Sequence, residues 1–235
     1  MELSVILPVY SETDSLRKVV DELFHLLDGV VKEIVLVIHH SSGKETFKVC
    51  SDLSVKYPEV RILIQRSNGL GNGIREGLAF VSGSHTLLMD SDGEMLPETV
   101  PKMIAKMSNR DYDVVVASRW MKGGGAIGYA PLKYIFVRFF NWVFRFLFRT
   151  GIHDLSLGFK ILNTRVIKDI QWEGIRHEIA TETTLKPIRL GYKVGEVPTV
   201  WVRRNSGRSK NWKLANVRYI QMALSIWRGK WKGKS

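Results

Sequence analysis

The first half of the chain alternates short apolar runs with amphipathic segments, and this rhythm restricts the fold more than any other feature. The apolar runs are typical of buried strands, and the segments between them carry apolar residues at helical spacing. Short parallel strands joined by crossover helices form an open sheet with helices on both faces. We therefore predict an α/β fold with a mainly parallel sheet. The predicted strands are 3–9, 33–38, 60–65, 85–89 and 112–117, and the predicted helices are 11–28, 45–56, 74–81 and a segment opened by Pro97.

The second half has a different pattern. A triple glycine at 123–125 predicts a flexible break, and an aromatic-rich helix is predicted over 131–149. We expect residues 1–210 to form one domain and residues 211–235 to add a basic amphipathic helix and tail. Further strands are predicted at 158–162 and 193–201, with helices at 178–190 and 211–227.

Charge is the unusual part of the composition. The chain has 35 Lys and Arg against 23 Asp and Glu, a net charge of +12, and no acidic residue follows Glu196. This excess predicts an anionic partner, either lipid headgroups, phosphates or nucleic acid. Nucleic acid ranks last because no known nucleic-acid motif is present.

Other features bear on the compartment. The single cysteine, Cys50, excludes an intramolecular disulfide and favours a reducing compartment. The start MELSVILPVY lacks the basic region of a signal peptide, so no signal peptide is predicted. No stretch reaches 18 uncharged apolar residues, so no membrane-spanning helix is predicted.

The run 90–94, Asp-Ser-Asp-Gly-Glu, directly follows the predicted strand 85–89. Carboxylates at the carboxyl end of such a strand lie where open α/β sheets bind their ligands. Asp90 and Asp92, with Glu94 as a third oxygen ligand, suit Mg²⁺ or Mn²⁺ together with a diphosphate. The alternative is an ordinary turn rich in Asp, Ser and Gly.

Three other segments follow predicted strands or precede a predicted helix. The glycine-rich loop 66–73 allows close approach of backbone to a ligand, although it does not fit a P-loop and an ordinary turn remains the alternative. Residues 8–12 follow the first strand and residues 117–120 follow the fifth. All of these segments are expected to converge on one crevice with Asp90 and Asp92.

These segments together resemble glycosyltransferase family 2, whose members have the GT-A nucleotide-sugar fold. Later segments resemble the dolichyl-phosphate mannosyltransferase-like subgroup, which transfers sugar to polyprenyl phosphates. Residues 153–160 are similar to its S-D-x-x-x-G-F-[RK], residues 191–198 to its G-Y-x-x-x-E-V-P and residues 204–210 to its R-x-x-G-x-S-K. The resemblance covers residues 3 to about 212.

The resemblance implies roles for individual residues. Asp154 is the candidate catalytic base if the acceptor is a hydroxyl, and a structural cap is the equally weighted alternative. Asp92 and Arg119 are expected to act in catalysis, and Lys133 falls near the position that contacts the lipid phosphate. The nucleotide-sugar pocket is implied to contain Pro8, Tyr10, Glu12, Gly69, Gly71, Asp90, Ser91 and Asp92, the metal site Asp90, Asp92 and Glu94, and the phosphate-binding set Arg119, Lys133, Arg204, Ser209 and Lys210.

One departure from the family pattern concerns the donor. Relatives usually carry two acidic residues after the second strand, where this chain has His39 and His40. Neighbouring residues on a strand point to opposite faces, so the pair is not expected to chelate one metal. Either His39 or His40 contacts the nucleoside by stacking or hydrogen bonding, or donor recognition is weakened or the protein has lost activity.

The predicted helix 131–149 has a polar stripe of Tyr134, Arg138, Asn141, Arg145 and Arg149 beside a wide apolar arc. This pattern favours a helix lying among lipid headgroups over one buried in a core or a subunit contact. The predicted final helix and its Trp- and Lys-rich tail also suit an anionic membrane surface. We expect a peripheral protein on the cytoplasmic face of a membrane, with a membrane-anchoring partner subunit as a further expectation.

The sequence thus predicts a metal-dependent, inverting glycosyltransferase. It would move a hexose from a nucleotide sugar to a polyprenyl phosphate such as dolichyl phosphate, with GDP-mannose as the first choice of donor and UDP-glucose as the second. The alternatives are transfer to a hydroxyl of a glycan or protein, and a non-catalytic subunit that keeps the fold and docks on a membrane.

Overall fold

A computed structural model of the protein describes residues 1–108, 112–203 and 212–231. Seven strands form the main sheet in the order β3-β2-β1-β4-β7-β5-β8, and β6 pairs with β9 in a small second sheet. The strands are β1 (Leu3–Val9), β2 (Val31–His39), β3 (Val60–Gln65), β4 (His85–Leu88), β5 (Val114–Ser118), β6 (Gly125–Ile127), β7 (Lys160–Asn163), β8 (Val194–Pro198) and β9 (Val200–Val202).

Helices cover both faces of the main sheet, which confirms the predicted α/β class. They are α1 (Asp14–Leu26), α2 (Lys44–Lys56), α3 (Leu70–Phe80), α4 (Val100–Ser108), α5 (Pro131–Phe148), α6 (Thr164–Asp169), α7 (Ile179–Arg189) and α8 (Trp212–Trp227), with a 3-10 turn at Pro97–Thr99 before α4.

Strand alternation divides the buried apolar side chains into two cores. Leu3, Val5 and Leu7 of β1 face the core under α1, α2 and α4, whereas Ile6 faces the core under α3, α5 and α7. Because every second side chain of a strand points to the opposite face, a strand buried on both sides is apolar throughout. Ala223 and Ile226 of α8 are fully buried in the second core, so this helix packs on the domain.

Among the strands that the structure describes in the main sheet, only β7 runs antiparallel to its neighbours. It lies between β4 and β5 and pairs antiparallel with both, while the other pairs of that sheet are parallel. The chain leaves β5 at the carboxyl edge, passes through α5 and enters β7 from that same edge. This return explains the antiparallel direction and brings residues 119–159 to the edge where the parallel strands end.

The predicted strand 193–201 is divided at Thr199. Its first part, β8, extends the main sheet beside β5, and its second part, β9, pairs with β6. The glycine run at 123–125 is therefore not a free break, since Gly125 begins β6. None of the described helices combines the length and the apolar content that a bilayer crossing requires.

Candidate active site

The carboxyl ends of β1 and β4 are joined directly. The Ser91 hydroxyl donates to the Pro8 carbonyl at 2.5 Å, and Ser91 is only 2% exposed. Asp90 and Asp92 flank this buried serine, so they lie beside the segment that follows β1. The predicted convergence of these two strand ends is present in the fold.

Glu12 organises the loop after β1. Its carboxylate accepts hydrogen bonds from the backbone N–H groups of Tyr10 at 2.7 Å and Ser11 at 2.9 Å. The Tyr10 ring remains half exposed. Glu12 thus shapes the rim of the crevice and presents the Tyr10 ring at the end of β1.

The two histidines stack on each other instead of diverging. Their ring centroids are 4.3 Å apart, and the Tyr10 ring meets His39 edge-on at 5.2 Å. The expectation of opposite faces is wrong here because β2 ends at His39 and the chain turns, with the Ser42 N–H donating to the His39 carbonyl at 2.9 Å. The rings of Tyr10, His39 and His40 therefore form a row across the ends of β1 and β2, which we call the histidine ladder.

Hydrogen bonds indicate which ring nitrogens of the two histidines donate and which accept. The Ser41 N–H donates to His39 Nδ1 at 3.2 Å, so His39 Nε2 carries the proton and donates to Asn68 Oδ1 at 2.9 Å. His40 Nδ1 lies 3.4 Å from the Gln65 carbonyl, which can only accept. In the uncharged form of this ring, Nδ1 therefore carries the proton and Nε2 is the acceptor nitrogen.

The loop after β4 is held to the small sheet. The Glu94 N–H donates to Asp92 Oδ1 at 3.0 Å, and the Glu94 carbonyl accepts from the Val202 N–H at 3.0 Å. Met95 forms an isolated bridge with Trp201 of β9, and Gly93 takes a positive φ of 78° that allows the turn. These contacts fix the backbone of the predicted metal site.

Among the described residues, no three His, Cys, Asp or Glu side chains are grouped closely enough to hold a metal ion. The side chains of Asp90, Asp92 and Glu94 do not form such a group in this structure. The donor set still fits Mg²⁺ or Mn²⁺, because such ions keep waters and bind through one or two carboxylates plus substrate phosphates. The residues fit an ion that arrives with a diphosphate.

Gly69 and Gly71, at the start of α3, lie close to another segment of the chain. A Cβ on Gly71 would lie 2.3 Å from the Gly174 carbonyl oxygen, and one on Gly69 would lie 2.3 Å from that of Ile175. The Asn72 N–H donates to the Ile175 carbonyl at 3.2 Å. The close approach that these glycines permit is to the chain's own segment 174–175.

Glu178 holds that segment in turn. Its carboxylate accepts from the backbone N–H groups of Ile175 and Arg176, both at 3.1 Å. Arg218 of α8 lies 3.8 Å from the same oxygen. A continuous set of contacts therefore connects α8 to the glycine loop beside the crevice.

Arg119 and Asp154 form a buried ion pair. Arg119 Nε donates to Asp154 Oδ2 at 2.7 Å and Nη2 donates to Oδ1 at 3.0 Å, and the pair is 6% and 0% exposed. Burial alone would raise the pKa of Asp154, but the Arg119 charge and hydrogen bonds outweigh it and hold the pKa below its usual value. Backbone N–H groups of Arg119, Ser156 and Leu157 also donate to this carboxylate at 3.2 Å.

Lys133 enters the crevice from the first turn of α5. Its ammonium lies 4.8 Å from the Tyr129 ring centroid and 5.7 Å from that of Trp201. Burial lowers the pKa of Lys133. The negative charge of Glu94 acts against this shift, and the positive charges of Arg119 and Arg203 lower the pKa further. The fold thus brings a cation near the carboxylates that follow β4.

Sequence reasoning missed three aromatic residues of the crevice, Tyr129, Trp201 and Tyr219. The Tyr129 hydroxyl accepts from Arg119 Nη1 at 3.1 Å, and its ring meets Trp201 at 4.8 Å. Burial raises the pKa of Tyr219 on α8, and the nearby Arg119 opposes this while Asp90 adds to it. No local pattern marks these residues, because each reaches the site through a distant element. The predicted Arg204, Ser209 and Lys210 lie outside the described residues.

An open α/β sheet with an Asp-x-Asp segment at this edge defines a glycosyltransferase of the GT-A type. The chain belongs to the family described as Glycosyl transferase family 2, whose sequence model matches residues 4–171.

Two curated relatives are named for mannose and for dolichol phosphate or polyprenol. The chain is 28% identical to dolichol-phosphate mannosyltransferase of Pyrococcus furiosus over 236 aligned positions, which cover 100% of this chain and 65% of the relative. It is 25% identical to polyprenol monophosphomannose synthase of Mycolicibacterium smegmatis, covering 95% of this chain and 85% of the relative. The chain thus spans less than two thirds of the length of the Pyrococcus protein.

Solved structures share the fold. Glucosyl-3-phosphoglycerate synthase of Mycobacterium tuberculosis, in complex with Mn²⁺, UDP and glucosyl-3-phosphoglycerate, matches with a TM-score of 0.76. The match covers 97% of this chain and 80% of that chain at 18% sequence identity. At this identity the likeness establishes the architecture.

Proposed function

We propose that this protein transfers a hexose, with mannose as the first choice, from a nucleotide sugar to a polyprenyl phosphate at a membrane surface. The observation that carries the proposal is the position of Lys133. The negative charge of Glu94 in the carboxylate loop acts to raise the pKa of Lys133, and Lys133 extends from a helix whose outer face is apolar and exposed. Transfer from a diphosphate donor to a lipid phosphate requires a cation at the carboxylate loop and an apolar surface for the lipid, and the two must lie side by side. The names of the two curated relatives support the same reaction class.

The donor diphosphate is proposed to lie against Asp90 and Asp92. A bound Mg²⁺ or Mn²⁺ would supply Lewis-acid stabilisation of the leaving diphosphate. Lys133 and Arg203 add positive charge to the same crevice, where charge that is fixed in advance stabilises a leaving group most effectively. Inversion at the sugar follows from direct attack by the acceptor on the face opposite the diphosphate.

The nucleoside is proposed to lie on the ladder of Tyr10, His39 and His40. His40 Nε2 then supplies a neutral acceptor where relatives supply a carboxylate. Guanine and uracil both present a ring N–H to such an acceptor, so this feature does not select between a GDP and a UDP donor.

The burial of Asp154 supports a phosphate acceptor over a hydroxyl. A hydroxyl needs a general base within hydrogen-bond reach, and Asp154 is engaged by Arg119 with no exposed surface. A phosphate monoester is already anionic near neutral pH and needs positioning. We propose Asp154 as a structural partner of Arg119.

The exposed face of α5 supports a membrane location. Leu132, Ile135, Phe139, Trp142 and Phe146 recur at spacings of three and four, and each is 61–79% exposed. Large contiguous apolar surface of this kind marks an interaction site, and flanking arginines suit headgroups. We propose that α5 lies in the interface of a cytoplasmic membrane leaflet, with the lipid acceptor entering beside Lys133.

The reaction is tested by incubating the protein with radiolabelled GDP-mannose or UDP-glucose and either a polyprenyl phosphate or the free polyprenol. We expect a lipid-linked mannose product from the phosphate only. Lys133→Ala should raise KM for the polyprenyl phosphate and also lower kcat, because the leaving diphosphate loses the same positive charge, with Lys102→Ala on α4 as the control. Transfer to the free polyprenol would favour a hydroxyl acceptor, and absence of nucleotide-sugar binding would favour a non-catalytic subunit.

The membrane location is tested by sedimentation with anionic vesicles. The core residue Phe140 is only 4% exposed and is unsuited to this test, whereas Phe139 and Trp142 are 61% and 67% exposed. Phe139→Glu/Trp142→Glu should abolish sedimentation without unfolding the protein. Val55→Glu is the control, since Val55 is an apolar side chain on α2 that is 83% exposed. This variant should sediment with the vesicles as the unaltered protein does. Equal sedimentation of both variants would remove α5 from the interface.

A further inference from the structure

A second cavity lies on α5, apart from the crevice. Its volume is about 340 Å³, at the lower end of the range of small-molecule sites. Arg138, Phe139, Trp142 and Arg145 of α5 form one wall. Trp120, which follows β5, and His153, which precedes β7, contribute to the other walls.

Two polar atoms of this cavity lack partners. Trp120 Nε1 and Arg145 Nε are buried and make no hydrogen bond within the described residues. Buried donors are usually satisfied, because an unpaired one costs about 1–3 kcal/mol. Both atoms are donors, so among the described residues the side chains that line this cavity leave donor groups, and no acceptor, without a partner.

The charges around the cavity are also unbalanced. Within the described residues, no Asp or Glu forms a salt bridge with Arg138 or Arg145. Glu196 is engaged elsewhere, since it pairs with His153 Nδ1 and accepts from the His153 N–H at 2.8 Å. The cavity therefore favours an anionic ligand, and guanidinium groups suit a phosphate.

The rim of the cavity is apolar. Phe139 and Trp142 belong to the exposed apolar stripe of α5 and are themselves part of the cavity wall. A ligand with its charged group between the arginines would thus extend apolar chains along this stripe. Free phosphate has no such part, whereas a membrane lipid has both.

We propose that this cavity binds the phosphate headgroup of an anionic phospholipid of the bilayer. The proposal rests on the membrane location proposed above and is independent of sugar transfer. The cavity differs from the crevice, because Arg119 contacts the Trp120 ring at 4.9 Å without lining the cavity. Arg138 lies 5.4 Å from the centroid of the same ring. Trp120 thus lies between the buried ion pair and the headgroup cavity.

The test measures binding of dihexanoyl phosphatidylglycerol, kept below its micelle concentration, by calorimetry. Arg138→Lys/Arg145→Lys keeps the charge but removes the planar donors, including Arg145 Nε. It should weaken binding about tenfold, because guanidinium forks are not replaced by point charges. Arg165→Lys/Arg189→Lys is the control, since these exposed arginines adjoin the end of β7 and the start of β8, at the opposite edge of the sheet from the cavity. It should bind the lipid as the unaltered protein does.

Folding and donor binding are checked in the same samples. Thermal unfolding and the shift in Tm produced by GDP-mannose should be unchanged in both pairs of variants. A chain that binds the lipid in this pattern but transfers no sugar would refute the proposed function and leave the headgroup cavity established.

Three results would overturn the headgroup assignment. Equal lipid binding by the Lys pair and the unaltered protein would mean diffuse attraction without a site. Displacement of the lipid by inorganic phosphate at equal concentration would mean a free-anion site. A raised KM for polyprenyl phosphate in Arg138→Gln/Arg145→Gln, assayed in detergent without phospholipid, would assign the cavity to the acceptor.

Discussion

Arg119 Nε and Asp154 Oδ2 lie 2.7 Å apart in the interior of the protein, with the two residues 6% and 0% exposed. The pair joins the end of β5 to the segment that leads into β7. Breaking a buried pair is costly, since removal of one partner leaves an uncompensated charge away from water. The pair therefore fixes the edge of the sheet at which the crevice forms.

Replacement of this carboxylate tests its structural role. Asp154→Asn should lower the free energy of unfolding by about 3–5 kcal/mol, because Arg119 stays buried without its partner. Chemical denaturation measures this, with Asp52→Asn as the control. Asp52 pairs with Arg17 on the surface, and its loss should cost about 1 kcal/mol or less. Unchanged stability with complete loss of transfer would instead assign Asp154 as a base.

The same pair predicts a pH dependence. The pKa of Asp154 is lowered in the folded protein from the ordinary value of 3.8, mainly because Arg119 outweighs the effect of burial. Its contribution to stability is therefore complete above this ordinary value and is lost as the pH falls through the lowered pKa. A difference in Tm between the unaltered protein and Asp154→Asn should persist from pH 7 to about pH 4 and shrink below it.

Gly71 should not tolerate a side chain. A Cβ there would lie 2.3 Å from the Gly174 carbonyl oxygen, so Gly71→Ala must displace backbone. We expect a loss of about 2 kcal/mol in unfolding free energy and weaker nucleotide binding. Gly43→Ala is the matched control, since nothing lies within 4 Å of its Cβ and its φ is −70°. Equal stability of the two variants would mean that the contact with segment 174–175 is not required.

Lys160 predicts a second pH effect. It is fully buried, it donates to the Ala180 carbonyl and the Thr184 hydroxyl at 2.6 Å each, and burial lowers its pKa to about 7. The unfolded chain therefore holds this proton at pH values where the folded protein has released it, and stability rises with pH between about 7 and 10. Lys160→Met should raise Tm most near pH 6, and this gain should diminish by pH 10. A gain that does not change with pH would mean that Lys160 is not neutralised on folding.

The histidine ladder should contribute to donor binding. His39→Ala removes the ring between Tyr10 and His40 and the bond to Asn68 Oδ1. We expect the Kd of the nucleotide donor to rise about fivefold, the size typical of one lost aromatic contact. Calorimetry with GDP and UDP measures this, and His25→Ala on the exposed side of α1 is the control. An unchanged Kd for both nucleotides would exclude the ladder from the donor site.

Local pattern was sufficient for much of the framework. Strand β1 has the predicted bounds Leu3–Val9, and β3 has the predicted bounds Val60–Gln65, because both are short apolar runs between clear turns. Sheet order was not predictable in the same way. The insertion of β7 between β4 and β5 depends on pairing between residues that are far apart in sequence, and no periodicity encodes it.

The site residues also divide into those whose position local sequence predicts and those whose position depends on distant segments. The placement of Asp90 and Asp92 follows from the end of a buried strand, whereas the partners of Gly71 and Asp154 come from distant segments. The α5 stripe is an intermediate case. Asn141 belongs to the predicted polar stripe, yet it is buried because its side chain accepts from the Leu155 N–H at 2.6 Å and donates to the Val137 carbonyl at 2.8 Å.

The central claim is that Asp90 and Asp92 hold the divalent ion that stabilises the leaving diphosphate. The most direct test is the initial rate of mannose transfer from GDP-mannose to a polyprenyl phosphate, measured with Mn²⁺, with excess EDTA, and in Asp92→Asn. We predict that EDTA stops transfer, that added Mn²⁺ restores it, and that Asp92→Asn lowers the rate by about a hundredfold or more. A full rate of transfer in excess EDTA would contradict the account.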